Sequence, residues 1–486
     1  MKRISAIVSS RKFHVSWLLA WFSAAFLFGV LSVRVLSFEV AFITLILAFS
    51  FIIISVIRKD ILGVALIILS GLLVGVWRGG NELQTVSQLD SYIGQSVVVQ
   101  GIIVDDPTID IDGDIRFRLR DVQVNGNEVG GSVWSSTSDN IDLKRSDIVL
   151  LEGELSEGFG TLVGAVYRSV ILDTQRVPGS DPGLIVRDAF ADGIRTAIRE
   201  PEGSLGAGFL VGQKSNLPEK LDQEMRLLGL THIVVASGFN LTILVRFARK
   251  LTFRISRFTA LAVSSGLVFS FYHISGNSPS MARASLITML SLFGWYFGRK
   301  THPLVLLPFA AAVTVYIEPS YIWGDIGWLL SFSSFIGIIM FSPLIHSYFW
   351  GDAPPGGIRQ VCVETISAQA LTLPIIAYVF GQYSPLSVFA NLLIVPLIPI
   401  AMILTFIAGL AGIIFSSGSS IIGWPAETLM GYMVNIVDWL ARLPQASYEF
   451  TMKPEHIVVY LCTLLVISLY MWRRTGHKFN TYNIVE

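Results

Sequence analysis

Residues 229–244 read GLTHIVVASGFNLTIL. The step Ser237-Gly238-Phe239-Asn240 is polar inside a stretch otherwise apolar enough to enter a bilayer. Hydrocarbon offers no water to backbone N–H and C=O groups. Such an interruption is therefore tolerated only against other protein or a water-filled cavity. A second place of this kind follows at Gly276-Asn277-Ser278-Pro279-Ser280-Met281-Ala282-Arg283. Placing its arginine at bilayer depth costs about 2.5–3.5 kcal/mol on insertion scales. Two neighbouring polar interruptions point to a path for a polar solute through a membrane protein.

Composition agrees. Of 486 residues, 52% are hydrophobic and 14% charged, and mean hydropathy is +0.63. Soluble domains carry about 25% charged residues, so the chain is read as a polytopic α-helical membrane protein. Formal net charge is zero, so overall charge selects no partner. Cys362 and Cys462 both lie in apolar runs. No disulfide, Cys-based metal site or cofactor is expected. Lys2, Arg3, Arg11 and Lys12 precede an apolar run at 17–36. That run is too long for a signal-peptide core and lacks a small-residue cleavage site, so it reads as a retained span.

Four segments are expected. Residues 1–80 carry three spans, at 17–36, 38–57 and 61–77, each near the roughly 20 residues that cross the hydrocarbon. Residues 81–177 turn polar, with short alternating runs at 97–104, 115–120, 128–134, 147–155 and 161–172 and a hairpin signal at Asn125-Gly126. Five short strands predict a small inserted all-β domain, most simply an OB-type barrel, with a small sandwich as the competitor. Residues 178–230 hold a Pro/Gly linker and two amphipathic helices expected on the membrane surface. Residues 231–486 form a second helical bundle, with apolar runs at 233–247, 259–273, 282–297, 304–317, 326–345, 361–380, 386–415, 424–443 and 457–472. Pro396 and Pro399 break the run from 386, so it is read as a kinked or paired half-helix element.

Basic residues set an expected orientation. Lys2, Arg3, Arg11 and Lys12 put the N-terminus inside, and Arg58 and Lys59 put the second turn inside. Three spans then leave the β domain extracytoplasmic. Arg246, Arg249, Lys250, Arg254 and Arg257, then Arg299 and Lys300, then Arg473, Arg474 and Lys478 fit the inside too.

With these elements in order, the chain resembles the ComEC family of competence channel proteins. That family passes single-stranded DNA across the cytoplasmic membrane in natural transformation. The resemblance rests on GLTHIVVASGFNLTIL (229–244), SPSMARASLITML (278–290), EPSYIWGDIGWLLSFSSFIGI (318–338) and SAQALTLPIIAYVFGQYSPLSVFANLLIVPLIPI (367–400). It implies single-stranded DNA as substrate, residence in the bacterial cytoplasmic membrane among its lipids, an external DNA receptor and a cytoplasmic DNA-translocating ATPase. A homo-oligomer is compatible with it. There are two departures. Family members often carry His where this chain has Asn240, which removes a titrating group. The histidines at 14, 232, 273, 302, 346, 456 and 477 are scattered. The metallo-β-lactamase-like nuclease domain of many members is therefore expected to be absent, with no catalytic residues and no enzyme activity. No GxxxxGK[ST] motif is present, so the chain does not drive transport with ATP itself.

The candidate path residues are Ser237, Gly238, Asn240, Asn277, Ser280, Arg283, Asp325, Glu364, Gln369 and Asn391. Ser237-Gly238 either lines a pore or lets a neighbouring helix approach. Arg283 either meets phosphate, snorkels to the interface, or pairs with Asp325 or Glu364. Asn277 and Ser280 suit a turn and cap as well as a ligand. Asp325 and Glu364 could form a proton-coupling pair, balance an arginine or, for Asp325, cap a helix. Gln369 and Asn391 either bridge helices or line the path. On the outer domain, Arg116, Arg118 and Arg120 share one strand face, and Lys144 and Arg145 extend a patch that could attract DNA. The many Asp and Glu residues of that domain oppose this, and Trp134, Phe117, Phe159 and Tyr167 are expected in its core. Two other functions remain open: an ion-coupled transporter of a small or lipid-linked solute, and a non-transporting membrane assembly scaffold.

Overall fold

A computed structural model describes residues 12–36, 43–110, 113–139, 141–177, 179, 181–213, 217–234, 238–276, 278–299, 302–351, 353, 356–415 and 418–476. In chain order the helices begin with α1 (Val15–Leu36), α2 (Ile43–Arg58), α3 (Ile61–Val86), α4 (Pro182–Ala197), α5 (Glu202–Val211), α6 (Glu219–Leu227), α7 (Thr231–Val234), α8 (Gly238–Thr252) and α9 (Arg257–Ile274). They continue with α10 (Pro279–Tyr296), α11 (Pro303–Ile317), α12 (Ser320–Gly324), α13 (Ile326–Trp350), α14 (Gly357–Val379), α15 (Ser387–Ile394), α16 (Ile398–Ile414), α17 (Ser419–Ala441) and α18 (Pro454–Thr475). Among the described residues, 7 helical stretches are long and apolar enough to cross a membrane, and Thr44–Arg58 and Pro303–Ile317 are apolar but shorter. The protein is a polytopic helical membrane protein with an inserted β domain, as its sequence indicates. It divides into two compact units: Met1–Asp181 with Met289–Leu329, and Pro182–Thr288 with Leu330–Glu486.

In the first unit, α3 lies against α1 along Gly71, Gly75 and Gly79, spaced four apart on one face. A β-carbon at Gly29 would lie 2.6 Å from the Leu72 carbonyl oxygen, and one at Gly75 would overlap the Phe26 carbonyl. Only glycine lets these backbones meet, as is usual where helices pack without a hydrophobic driving force. Asp60 caps α3 by accepting from the Gly63 N–H at 2.9 Å. Arg78 reaches from α3 to the end of α11, donating to the carbonyls of Tyr316 (2.9 Å) and Ile317 (3.1 Å).

The same unit carries the β domain. Its strands are β1 (Ser96–Ile103), β2 (Thr108–Ile109), β3 (Ile115–Val124), β4 (Asn127–Val129), β5 (Ser132–Thr137), β6 (Ile148–Glu157), β7 (Leu162–Val166) and β8 (Val170–Gln175). The sheet runs β1-β3-β5-β7-β6, and β1 also pairs with β6, so it closes on itself. The β5–β7 contact is parallel and the others antiparallel. Five long strands in a closed Greek-key order give the OB-type barrel and exclude the sandwich. Alternation decides which side chains fill it. Phe117 and Leu119 are buried with Val99, Val133, Leu151 and Val166, while Arg116, Arg118 and Arg120 face outward. Asn125 and Gly126 both adopt positive φ (52° and 82°) in the β3–β4 turn, the conformation that Asn-Gly favours. The barrel sits on helices of its own unit. Gly130 leaves no room for a β-carbon against Thr85, and one at Gly324 would lie 2.7 Å from the Gly160 carbonyl.

In the second unit, the helices of 178–230, expected on the membrane surface, turn their apolar faces to protein. Residues 203–211 of α5 are all buried. Ile194 of α4 and Leu205 and Phe209 of α5 share one core with Met225, Met402 and Met430. Small residues allow this. Gly193 and Ala197 of α4 stand four apart, and a β-carbon at Gly193 would lie 2.6 Å from the Gly409 carbonyl oxygen of α16. One at Gly412 would overlap the Gly193 carbonyl, and one at Gly423 would overlap that of Ala197. The apolar periodicity of α4 is real, but it faces protein. As expected, the 386–415 run is broken: α15 passes into a 3-10 turn at Val395–Leu397, then into α16.

Candidate functional site

The two quoted interruptions differ in kind. Helical residues 231–234 and 238–252 bracket 235–237, so Ser237 lies outside the described residues. Gly238 opens α8 and gives close packing, since a β-carbon there would lie 2.8 Å from Ala284 Cβ of α10. Asn240 is fully buried, and its Nδ2 donates to the Phe209 carbonyl of α5 at 3.0 Å. The second interruption is the connection between separate helices α9 and α10, as the separate apolar runs at 259–273 and 282–297 imply. Gly276 takes φ 87° just past α9, and α10 starts on Pro279. This Gly-then-Pro punctuation is a normal helix stop and start. Asn277 lies outside the described residues, and Ser280 Oγ stands 3.4 Å from Ser278 Oγ at the start of α10.

Arg283 lies one turn into α10, about 6 Å along the axis from Pro279. Its Nε is buried and has no hydrogen-bond partner among the described residues. Its guanidinium carbon stands 5.6 Å from the Phe332 ring centroid and 5.4 Å from that of Phe335, both on α13. The aromatic faces hold the charge by cation–π attraction, but they do not neutralise it. Its Nη2 is 3.8 Å from where a Gly238 β-carbon would stand. The approach of α8 and α10 thus brings Gly238 and Arg283 together. A guanidinium stacked this way keeps its in-plane N–H groups free for an oxyanion.

The two candidate carboxylates have local partners. Asp325 accepts from the Trp328 N–H and caps α13, and burial raises its pKa above the ordinary value. Glu364 accepts from Gln360 Nε2 one turn away at 2.8 Å. Gln369 and Asn391 come together on Ser387. Gln369 Nε2 donates to Ser387 Oγ (2.8 Å), and Asn391 Nδ2 donates to the Ser387 carbonyl (2.8 Å). Gly229 faces the same hydroxyl, leaving 3.1 Å for a β-carbon. This cluster ties α14 to the broken α15–α16 element and to the start of the 229–244 stretch.

The basic patch of the β domain is not bare positive surface. Arg116 pairs with Asp110, Arg118 with Asp105 (2.8 Å) and Arg120 with Asp121 (3.8 Å). Arg145 is buried and pairs with Asp181 at 2.7 Å, and the Lys144 N–H donates to Asp147. The aromatics depart from expectation the other way. Phe117 is in the core, but Phe159 and Tyr167 are 51% and 53% exposed. Their rings stand 6.0 and 5.2 Å from Trp134, with Arg116 over the Trp134 face at 5.9 Å. Strand alternation points Phe117 inward, but nothing in the 158–168 segments announces side chains left on the outside. Phe332 and Phe335 were equally hidden, because two phenylalanines in an apolar helix read as core.

Comparisons with known proteins fit these elements. A profile of the family described as "Competence protein" matches residues 209–475. The "ComE operon protein 3" of Bacillus subtilis (strain 168) is 23% identical over 269 residues, 54% of this chain and 33% of that protein. The "Competence protein ComA" of Neisseria gonorrhoeae is 26% identical over 341 residues, 67% of this chain and 43% of that protein. An "Uncharacterized protein" of Aquifex aeolicus (strain VF5) is 23% identical over 231 residues, 47% of this chain and 52% of that protein. The chain thus spans about a third to a half of the length of these relatives. No solved structure matches. With its profile match covering more than half of the sequence, the chain belongs to the competence protein family.

Proposed function

We propose that this protein conducts single-stranded DNA across the bacterial cytoplasmic membrane, with Arg283 as a phosphate contact on the path. The observation that carries the reading is a guanidinium set between two phenylalanine rings, in no ion pair with a carboxylate among the described residues. A buried charge without a partner is costly. A strand of phosphodiesters supplies a moving series of partners, each weak enough to leave. The Gln369–Ser387–Asn391 cluster then serves as scaffold, holding the broken element beside the path rather than touching the substrate.

In this reading the barrel receives the strand first. Trp134, Phe159 and Tyr167 offer stacking faces that tolerate any base, with the Asp110-paired Arg116 over the Trp134 ring. The N-terminus and the basic loops lie on the cytoplasmic side and the barrel outside. A receptor outside and a DNA-translocating ATPase inside supply capture and force, and the chain itself catalyses no reaction. An ion-coupled solute transporter draws less support, because Asp325 and Glu364 have local structural partners.

The test is uptake in a strain lacking this protein and complemented with variants. Arg283→Ala should leave surface DNA binding and membrane abundance intact and abolish the DNase-resistant internal fraction, and Arg283→Lys should restore part of it. Uptake by Arg283→Ala at the level of the unaltered protein would make Arg283 structural.

A further inference from the structure

The hairpin from the end of α8 to the start of α9 presents one continuous surface of basic and large apolar side chains. Arg246, Lys250, Arg254 and Arg257 are exposed. Between them stand Phe247 (53% exposed), Leu251 (66%), Phe253 (49%) and Ile255 (75%), and Phe258 (67%) follows directly. Arg246 and Lys250 stand four apart on one helix face, where like charges repel. Arg257 occupies the first turn of α9, where the helix dipole disfavours a cation. No aspartate or glutamate occurs between Glu224 and Glu318, so the local sequence offers no counter-charge. Among the described residues, none of these four forms an ion pair.

A solvated loop explains basic residues but not the five apolar side chains alternating with them. A protein core explains the apolar residues but not their exposure. One environment satisfies both. At the edge of a bilayer the apolar side chains enter the acyl boundary and the cations meet phosphate headgroups. The hairpin also includes the C-terminal end of a stretch apolar enough to span, Thr231–Thr252. Single-stranded nucleic acid also takes arginine and aromatic side chains, but Leu251 and Ile255 have no ring on which a base could stack.

We propose that residues 246–258 form a binding surface for anionic phospholipids, which seats α8 and α9 in the leaflet they face. The inference is independent of the DNA reading, because it concerns the phosphate of lipid headgroups and not of a transported strand.

The test uses the full chain purified in a neutral detergent, with and without Arg246→Gln, Lys250→Gln, Arg254→Gln and Arg257→Gln combined. Each protein is placed in nanodiscs of phosphatidylcholine containing a spin-labelled phosphatidylglycerol or a spin-labelled phosphatidylcholine. The unaltered protein should immobilise the anionic probe preferentially. The combined variant should lose that preference about tenfold or more, since each cation near the surface contributes to it. Added inorganic phosphate at equal concentration should not compete. A variant that keeps the preference would overturn the proposal, and so would full displacement by free phosphate. If the variant instead lost affinity for a labelled oligothymidylate while its lipid preference stayed intact, nucleic acid would be the occupant and the proposal would fail. Should the combined variant not fold, Arg254→Gln with Arg257→Gln alone should show a smaller loss in the same direction, and no loss from that pair would equally overturn it.

Discussion

Replacing Gly412 with alanine tests whether α4 is part of the bundle core. The new β-carbon would stand 2.7 Å from the Gly193 carbonyl carbon and would overlap its oxygen. Ordinary contact begins at 3.4 Å, so α4 and α16 must part by at least 3.4 − 2.7 = 0.7 Å, and by more to clear the oxygen. That separation opens the shared core of Ile194, Leu205, Phe209 and Met402. Overpacking of this sort costs about 1–3 kcal/mol, and alanine returns up to about 1 kcal/mol of helix propensity. Gly266→Ala in α9 supplies the matched control, because a β-carbon there meets nothing within 4 Å. It collects the propensity gain without the overlap. Unfolding midpoints of the full chain in one detergent should therefore rank Gly266→Ala at or above the unaltered protein and Gly412→Ala clearly below it. The gap between the two variants reads the overlap alone. If Gly412→Ala melted together with Gly266→Ala, α4 would not pack on α16 and the membrane-surface reading of 178–230 would stand.

Other outcomes follow from the same reasoning. Arg176 donates through Nε (3.0 Å) and Nη2 (2.8 Å) to Asp147, whose side chain is 4% exposed. Arg176→Ala should thus cost the barrel about 1–3 kcal/mol by leaving a buried carboxylate short of donors, read as a lower melting temperature of the full chain. Burial raises the Glu318 carboxyl above the ordinary glutamate range, and nearby Glu82 adds to the effect. The folded protein therefore holds that proton more tightly than the unfolded chain, and stability falls as pH rises from the ordinary value to the raised one. Glu318→Gln should flatten this fall and leave the variant relatively more stable at neutral pH than at acidic pH, measured by melting across that window. Trp134→Ala with Phe159→Ala should weaken binding of a short oligothymidylate by about 1–3 kcal/mol per lost stack, measured by fluorescence anisotropy. Unchanged affinity would remove the barrel from the path.

How much was legible follows from which physical signal each element leaves. The barrel was readable because period-two alternation at Ile115-Arg116-Phe117-Arg118-Leu119-Arg120 fixes both strand and facing, and Asn125-Gly126 specifies a turn that few residues can adopt. Burial of α4 was not, because 3.6-residue periodicity gives an apolar face without naming what covers it. The available hint was Gly193 and Ala197 spaced four apart, a contact signature and not a surface one. The break at 276–283 was legible as a boundary between two runs, because glycine followed by proline marks the end of one helix and the start of another. Arg283 was singled out by its charge alone. Its aromatic clamp was invisible because Phe332 and Phe335 reach it from 49 and 52 positions away in sequence, across the packing of α10 and α13.

Photocrosslinking from residue 335 decides the account. Phe335→p-benzoylphenylalanine places a reactive ring beside Arg283 without removing the aromatic face, and a strand stalled in transfer by a bulky end-group holds DNA in place during irradiation. DNA adducts should form at 335, should weaken in the Arg283→Ala background, and should be missing from a probe at Trp424, a side chain 66% exposed on α17. DNA adducts at 424 with none at 335, in a protein that still supports uptake, would place the strand elsewhere and leave Arg283 without a role in its passage.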